Sequence, residues 1–396
     1  MMLPSSIAMS SSRRRSAESL KQVSFAVYPI ARTDVSGVPA PSPTHKLAGL
    51  EALRFIAAFA VVIWHYQHFA YIADKPIGLV RAQLPFYGAL QPFYEHGLYG
   101  VQIFWCISGF IFFWKYRDAI SNHAIGPTKF AMLRLSRLYP LHLATLLLVA
   151  VLQQMYLRSQ GVFFVYPQND LFHFGLNLFL ANHWGFQTDD SFNGPTWSIS
   201  VEVLAYFIFF ALLSQVGRSL AIHALFIVLA FVLPSQLFLC LAFFYAGGLA
   251  AIARKNFSGA KAQRMIELVA WLALIGMVMT VLLLHLEFRE FDLVLLLIGT
   301  PLLLFCISKD YALPMACQRI IEAAGNMTYS SYLLHFPIQL SLALYFSILG
   351  KPIPYRDASF FVLFIAATAS AAYLGYVLFE APAQKLIRRS FKMAHL

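Results

Sequence analysis

Three short stretches of this chain carry side chains able to do chemistry within surroundings that are otherwise apolar. The first is Arg54-Phe-Ile-Ala-Ala-Phe-Ala-Val-Val-Ile-Trp-His65. On a helix its two polar residues fall about 20° apart in azimuth and roughly 16 Å apart along the axis, so they share one face at two depths. An imidazole so placed is a candidate general base. Taken singly, Arg54 can snorkel to the interface and His65 can cap the helix end. The second stretch is Arg134-Leu-Ser-Arg137. Two guanidinium forks three residues apart share a helical face and match phosphate geometry; the plainer reading is charge marking the cytoplasmic end of a span. The third is Asn193-Gly-Pro-Thr-Trp197-Ser198-Ile-Ser200-Val-Glu202, where a carboxylate inside an apolar run needs a partner. If the partner is His65, the carboxylate fixes the tautomer that a base requires; if it is an Arg or a backbone group, Glu202 is structural. Two more residues join these. His335 precedes Pro337, which is expected to kink its helix and free backbone carbonyls. Glu380, in Phe379-Glu380-Ala-Pro382, is a candidate partner for the arginines.

The elements that must position these residues follow from composition. The chain has 396 residues, 59% of them hydrophobic and 12% charged, about half the charged fraction of a soluble domain. Spans of roughly 20 apolar residues are predicted over 48–70, 98–117, 138–157, 195–214, 219–234, 236–253, 266–286, 291–308, 328–349 and 358–380. The expected fold is therefore an all-α polytopic membrane protein with about ten transmembrane helices, plus a short half-helix over 171–182 in an outer loop. Residues 1–45, rich in Ser, Pro, Arg and Gly, are expected to be a disordered cytoplasmic tail, 46–384 the membrane domain and 385–396 a short basic cytoplasmic tail. The Ser/Arg bias of the first segment also fits a transit peptide, against which Glu18 and Asp34 count.

Roughly 22 Lys and Arg fall in the segments on the N-terminal side of the membrane and about 6 in the opposite loops. Both termini are accordingly expected in the cytoplasm, in a multi-pass cell (inner) membrane. The formal net charge of +11 reports this orientation rather than a nucleic-acid surface. The four cysteines suggest no bridge, no Cys/His spacing suggests a metal cage, and no internal repeat points to an inverted-repeat transporter.

In order along the chain, Arg54 and His65, the phrase Phe104-Trp-Cys-Ile-Ser108-Gly109-Phe110, Arg134 and Arg137, Trp197-Ser198-Ile-Ser200-Val-Glu202, Tyr332-Leu-Leu-His335-Phe-Pro337 and Phe379-Glu380-Ala-Pro382 resemble the motifs of acyltransferase family 3. These membrane proteins transfer acyl groups to hydroxyls of glycans and other cell-surface molecules. The resemblance implies an O-acetyltransferase that takes acetyl-CoA, or another acyl-CoA, from the cytoplasm and acylates a glycan, polysaccharide or lipid-linked hydroxyl at the outer face. Arg54, Arg134 and Arg137 are then expected to hold the donor phosphates, with His65 and Glu202 as the catalytic residues. Asn193, Trp197, Ser198 and His335 are expected on the substrate, Ser198 or Trp197 stabilising the oxyanion or positioning a sugar. Direct transfer and a covalent acyl-histidine relay both fit. The C-terminal esterase-like domain that some members carry is expected to be missing after residue 384. A reading from another class, a proton-coupled transporter or flippase of a glycan or lipid, also accounts for intramembrane Arg, His and Glu.

Overall fold

A computed structural model describes residues 47–391 apart from 73–74, 234, 258 and 284–287. The N-terminal tail expected over 1–45 lies outside the described residues. Helices dominate: α1 (Ala48–Tyr66), α2 (Tyr87–His96), α3 (Gly100–Lys115), α4 (Arg117–Ser121), α5 (Pro127–Gln160), α6 (Leu171–Leu178), α7 (Trp197–Gln215), α8 (Ala221–Val232), α9 (Gln236–Asn256), α10 (Ala260–Leu283), α11 (Phe288–Ile307), α12 (Met315–Asn326), α13 (Thr328–Ile348), α14 (Ala358–Leu374) and α15 (Ala381–Ser390). One two-stranded ribbon, β1 (Tyr71–Ile72) and β2 (Lys75–Pro76), pairs antiparallel with Tyr71 opposite Pro76.

The all-α polytopic architecture is as the sequence predicts. Eight helical stretches among the described residues are long and apolar enough to cross a membrane, and 221–232 and 292–307 are shorter apolar helices. All ten fall on the predicted spans. The short helix expected near 171–182 is α6, started by Asp170, whose carboxylate accepts the His173 backbone N–H. The main departures are at boundaries. Helix α5 begins at Pro127, about three turns before the predicted start, because a proline at the first helical position costs no hydrogen bond. Arg134 and Arg137 therefore lie within a continuous helix rather than ahead of it. The last span likewise continues past its predicted end: a π-helical turn, Gly375–Glu380, joins α14 to α15 and carries the chain to Ser390.

Close helix packing in lipid depends on small residues that let backbones meet. Gly109 on α3 faces the Phe244 carbonyl on α9, and Gly247 on α9 faces the Cys106 carbonyl on α3; a Cβ at either position has no room. That reciprocal contact explains the glycine in the Ser108-Gly109-Phe110 phrase. Around it lies one aromatic core, including Trp105, Phe112, Phe209, Phe243 and Phe244. A second core gathers Tyr66, Phe69, Tyr94, Phe164, Phe336 and Phe364 where α1, α5, α13 and α14 meet. Arg54 and His65 lie along α1 and His335 along α13, and both helices touch both cores.

Candidate active site

A cavity of about 120 Å³ opens among α1, α3, α5, α7 and α13. It collects Arg54, Arg134, Arg137, Ser198 and Glu202, predicted from three separate segments, onto one wall system with Tyr206, Tyr329 and Tyr332. The three arginines are not equivalent. Arg54 gives one fork nitrogen to Glu51 at 3.1 Å and the other to the Thr328 hydroxyl at 3.1 Å, tying α1 to α13. Arg134 donates to the Tyr116 hydroxyl at 2.6 Å and lies over the Phe112 ring at 4.7 Å. Arg137 makes no hydrogen bond or ion pair among the described residues, so its whole fork is available to a ligand.

Glu202 does not reach His65. Its carboxylate accepts the Tyr206 hydroxyl at 2.6 Å, one turn along α7, and Ser108 Oγ completes the chain by donating to Tyr206 Oη at 3.1 Å. The partner is thus none of those the sequence left open, His65, an arginine or a backbone group: a tyrosine four residues away on the same helix is within reach without crossing the bundle. Glu202 faces the arginine chamber instead. Glu380 likewise takes the Ser330 hydroxyl, at 2.6 Å, rather than an ion pair with a guanidinium; the π turn directs it there, as such turns often do at functional positions.

His65 and His335 lie outside the chamber lining, next to each other, with ring centroids 4.7 Å apart. Both are buried, at 3% and 0% exposure. His65 Nδ1 donates to the Val61 carbonyl at 2.8 Å. A carbonyl only accepts, so Nδ1 carries the proton and the neutral ring presents its lone pair at Nε2. The group that orients the imidazole is therefore a backbone carbonyl, a partner that leaves no mark in a sequence. His335 is held the same way, Nδ1 to the Ser331 carbonyl at 3.2 Å.

Tyr332 stands between the two regions. Its ring lines the chamber and lies 5.9 Å from the His335 ring; its hydroxyl donates to the Pro195 carbonyl and accepts from Ser198 Oγ, both at 2.7 Å. Asn193 and Trp197 take other places. Pro337 removes the helical bond to the Leu333 carbonyl, as expected, and Asn193 Nδ2 fills that vacancy at 3.0 Å. Trp197 packs edge-on against Trp105 and beside His183, outside the chamber. Tyr206, Tyr329 and His68 carry no signal of their own in the sequence, although His68 follows His65 by one turn and so shares its face.

Among the described residues no group of three or more His, Cys, Asp or Glu could hold a metal ion. The family described as an acyltransferase domain, acyltransferase family 3, matches residues 47–380. A similar protein, described as "Acyltransferase MdmB" from Streptomyces mycarofaciens, is 28% identical over 189 residues, 47% of this chain and 43% of that protein. The chain thus spans less than half the length of the curated relative it matches. No solved structure matches the chain. With the match running through every segment that builds the chamber and the histidine pair, the chain belongs to acyltransferase family 3, a family of membrane acyltransferases.

Proposed function

We propose that the protein moves an acyl group, in the simplest case acetyl, from cytoplasmic acyl-CoA to a hydroxyl of a cell-surface glycan or related acceptor. The observation that carries this reading is the chamber itself: three arginines, Arg137 with its fork free, together with Tyr332, and an oriented imidazole pair beyond that tyrosine. Acyl-CoA has matching polarity, with phosphates at one end and a thioester at the tip of a long arm. Arg137 takes the phosphates bidentately, Arg134 adds its charge, and Arg54 braces the mouth through Glu51 and Thr328. The acyl end passes Tyr332 and meets His65, which removes the proton of the attacking hydroxyl at Nε2. Glu202, bonded to Tyr206, balances the arginine charge in the chamber and is not the base's partner.

The basic-residue asymmetry, roughly 22 against 6, supports a chamber that opens to the cytoplasm and a histidine pair towards the outer half. The test is radiolabelled acetyl-CoA given to the purified protein in nanodiscs with a panel of glycosides. Label appearing in the glycoside supports the reading; a transporter or flippase leaves the donor intact. A single cysteine in the 158–194 loop of a cysteine-free variant should react from outside intact cells with an impermeant thiol reagent. Labelling only after lysis inverts the topology and removes the arginines from the acyl-CoA pool.

A further inference from the structure

Resting on the acyltransferase reading above, an inference about the acceptor comes from buried polar groups that the chemistry so far leaves unused. Gln339 donates Nε2–H to the His65 carbonyl at 2.9 Å and has no partner for Oε1. The His68 ring lies 5.0 Å from that of His65, and its Nδ1 is unpartnered. Gln67 accepts from Arg81 at 3.0 Å through Oε1, leaving Nε2 unpaired. Asn193 spends Nδ2 on the Leu333 carbonyl and keeps a free Oδ1, and His335 keeps a free Nε2. All five residues are more than nine-tenths buried. Each is bonded to, stacked on or adjacent in the chain to His65, His335 or their helical turn.

Buried polar atoms are nearly always paired, because leaving one unmade costs more than the bond is worth. Five orphans on residues grouped about the His65–His335 pair are therefore open to a polar ligand. Their chemistry restricts it. Gln67 Nε2 donates only, while Gln339 Oε1, Asn193 Oδ1 and His335 Nε2 accept, the last because its Nδ1 proton is on Ser331. Among the described residues no unpaired cation joins them; Arg81 is committed to Gln67 and to Glu95 at 2.6 Å. An anionic acceptor thus has no counter-charge, and a simple apolar alcohol leaves most of the orphans unmet. Hydroxyls, which donate and accept at once, satisfy a mixed set.

We propose that Gln67, His68 and Gln339, with Asn193 and His335, form the acceptor subsite, and that it takes a neutral polyhydroxylated ring bearing at least two neighbouring hydroxyls. One hydroxyl is placed at His65 Nε2 and gives it a proton while its oxygen bonds to the thioester carbonyl carbon. The carbon–sulfur bond then breaks, and the departing thiolate takes the proton back from the imidazolium. The neighbouring hydroxyls are held by the five side chains. The partly exposed Arg81–Glu95 pair, bonded directly to Gln67, links these side chains to the surface.

Saturation-transfer NMR on the protein in nanodiscs, without donor, tests binding. The probes are methyl glycosides of glucose, galactose, mannose and rhamnose, their singly deoxygenated counterparts, and cyclohexanol. At least one glycoside should bind, the loss of a hydroxyl next to the acylated one should weaken it about tenfold, and cyclohexanol should not bind. In acyl transfer, Gln67→Met and His68→Phe should raise the Michaelis constant for that glycoside about tenfold and that for acyl-CoA less than about twofold. His68→Asn, which keeps a polar atom near Nδ1, should retain most of the wild-type constant. Cyclohexanol binding as well as the glycosides, no glycoside binding, or both constants rising together would overturn the proposal. Glycoside binding weakened by Gln67→Met, with no acyl-CoA turnover, supports the subsite and overturns only the donor assignment.

Discussion

The arginine chamber and the histidine region solve opposite problems, and α1 and α13 contribute to both. The chamber keeps charge inside a membrane protein by partial commitment: Arg54 and Arg134 are bonded to Glu51, Thr328 and Tyr116, Glu202 to Tyr206, while the Arg137 fork and Arg134 Nε are left open. The histidine region holds no charged side chain at its centre. Its imidazoles are fixed by carbonyls of their own helices, and its unpaired atoms belong to neutral groups. A charged cofactor end suits the first arrangement and a neutral hydroxyl the second. The difference teaches that donor and acceptor are distinguished here by the kind of polar group left unsatisfied, with Tyr332 as the partition.

Substitutions at the two ends should break this contrast in different ways. The largest effect is expected from His65→Ala, which removes the base: transfer should fall about 10³-fold while expression and thermal melting stay near wild type. A well-folded variant that keeps most of its activity sinks the mechanism. Arg137→Ala should come next, raising the Michaelis constant for acyl-CoA about thirtyfold, in the range of a lost charge-assisted contact, with little change for the acceptor. Arg137→Lys should recover part of that loss, since a point charge lacks the bidentate fork. Equal loss for both substrates would mean that Arg137 holds the fold and not the donor.

At the partition, Tyr332→Phe removes the bonds to Ser198 and Pro195 but keeps the ring. Water should then reach the thioester more often, so the ratio of acyl-CoA hydrolysis to transfer should rise about threefold to tenfold for the loss of one or two neutral bonds. An unaltered ratio argues that the hydroxyl closes nothing. The smallest effect belongs to the outer loop, away from both regions. Asp170→Ala should loosen α6 by about 1 kcal/mol, the usual worth of a helix cap, read as faster amide exchange over 171–178. The His173 backbone N–H holds the Asp170 carboxyl below its ordinary value. Its contribution is therefore complete above the ordinary carboxylate range and is lost as pH falls below it, so wild type and variant should converge in acid. If they converge in alkali instead, the cap has been misread.

The sequence alone determined the membrane class, the ten apolar spans, the short helix near Leu171 and the identity of the chamber arginines, because lipid imposes a length and a polarity that any segment must show locally. It also placed Pro337 as the source of a free carbonyl, since proline's missing N–H is a property of the residue itself. Tertiary structure decided what each polar group touches. That Asn193 mends the Pro337 gap, that Glu380 bonds Ser330 and that His335 lies against His65 all join residues through the crossing of helices or through backbone carbonyls. A hydrogen bond is satisfied by the nearest group of the right kind, and nearness across helices is set by packing around contacts such as Gly109 on Phe244. The partition by Tyr332 belongs to the same class: its spacing in the chain says that it shares a face with His335, but only the packed bundle puts Pro195 and Ser198 within reach of its hydroxyl.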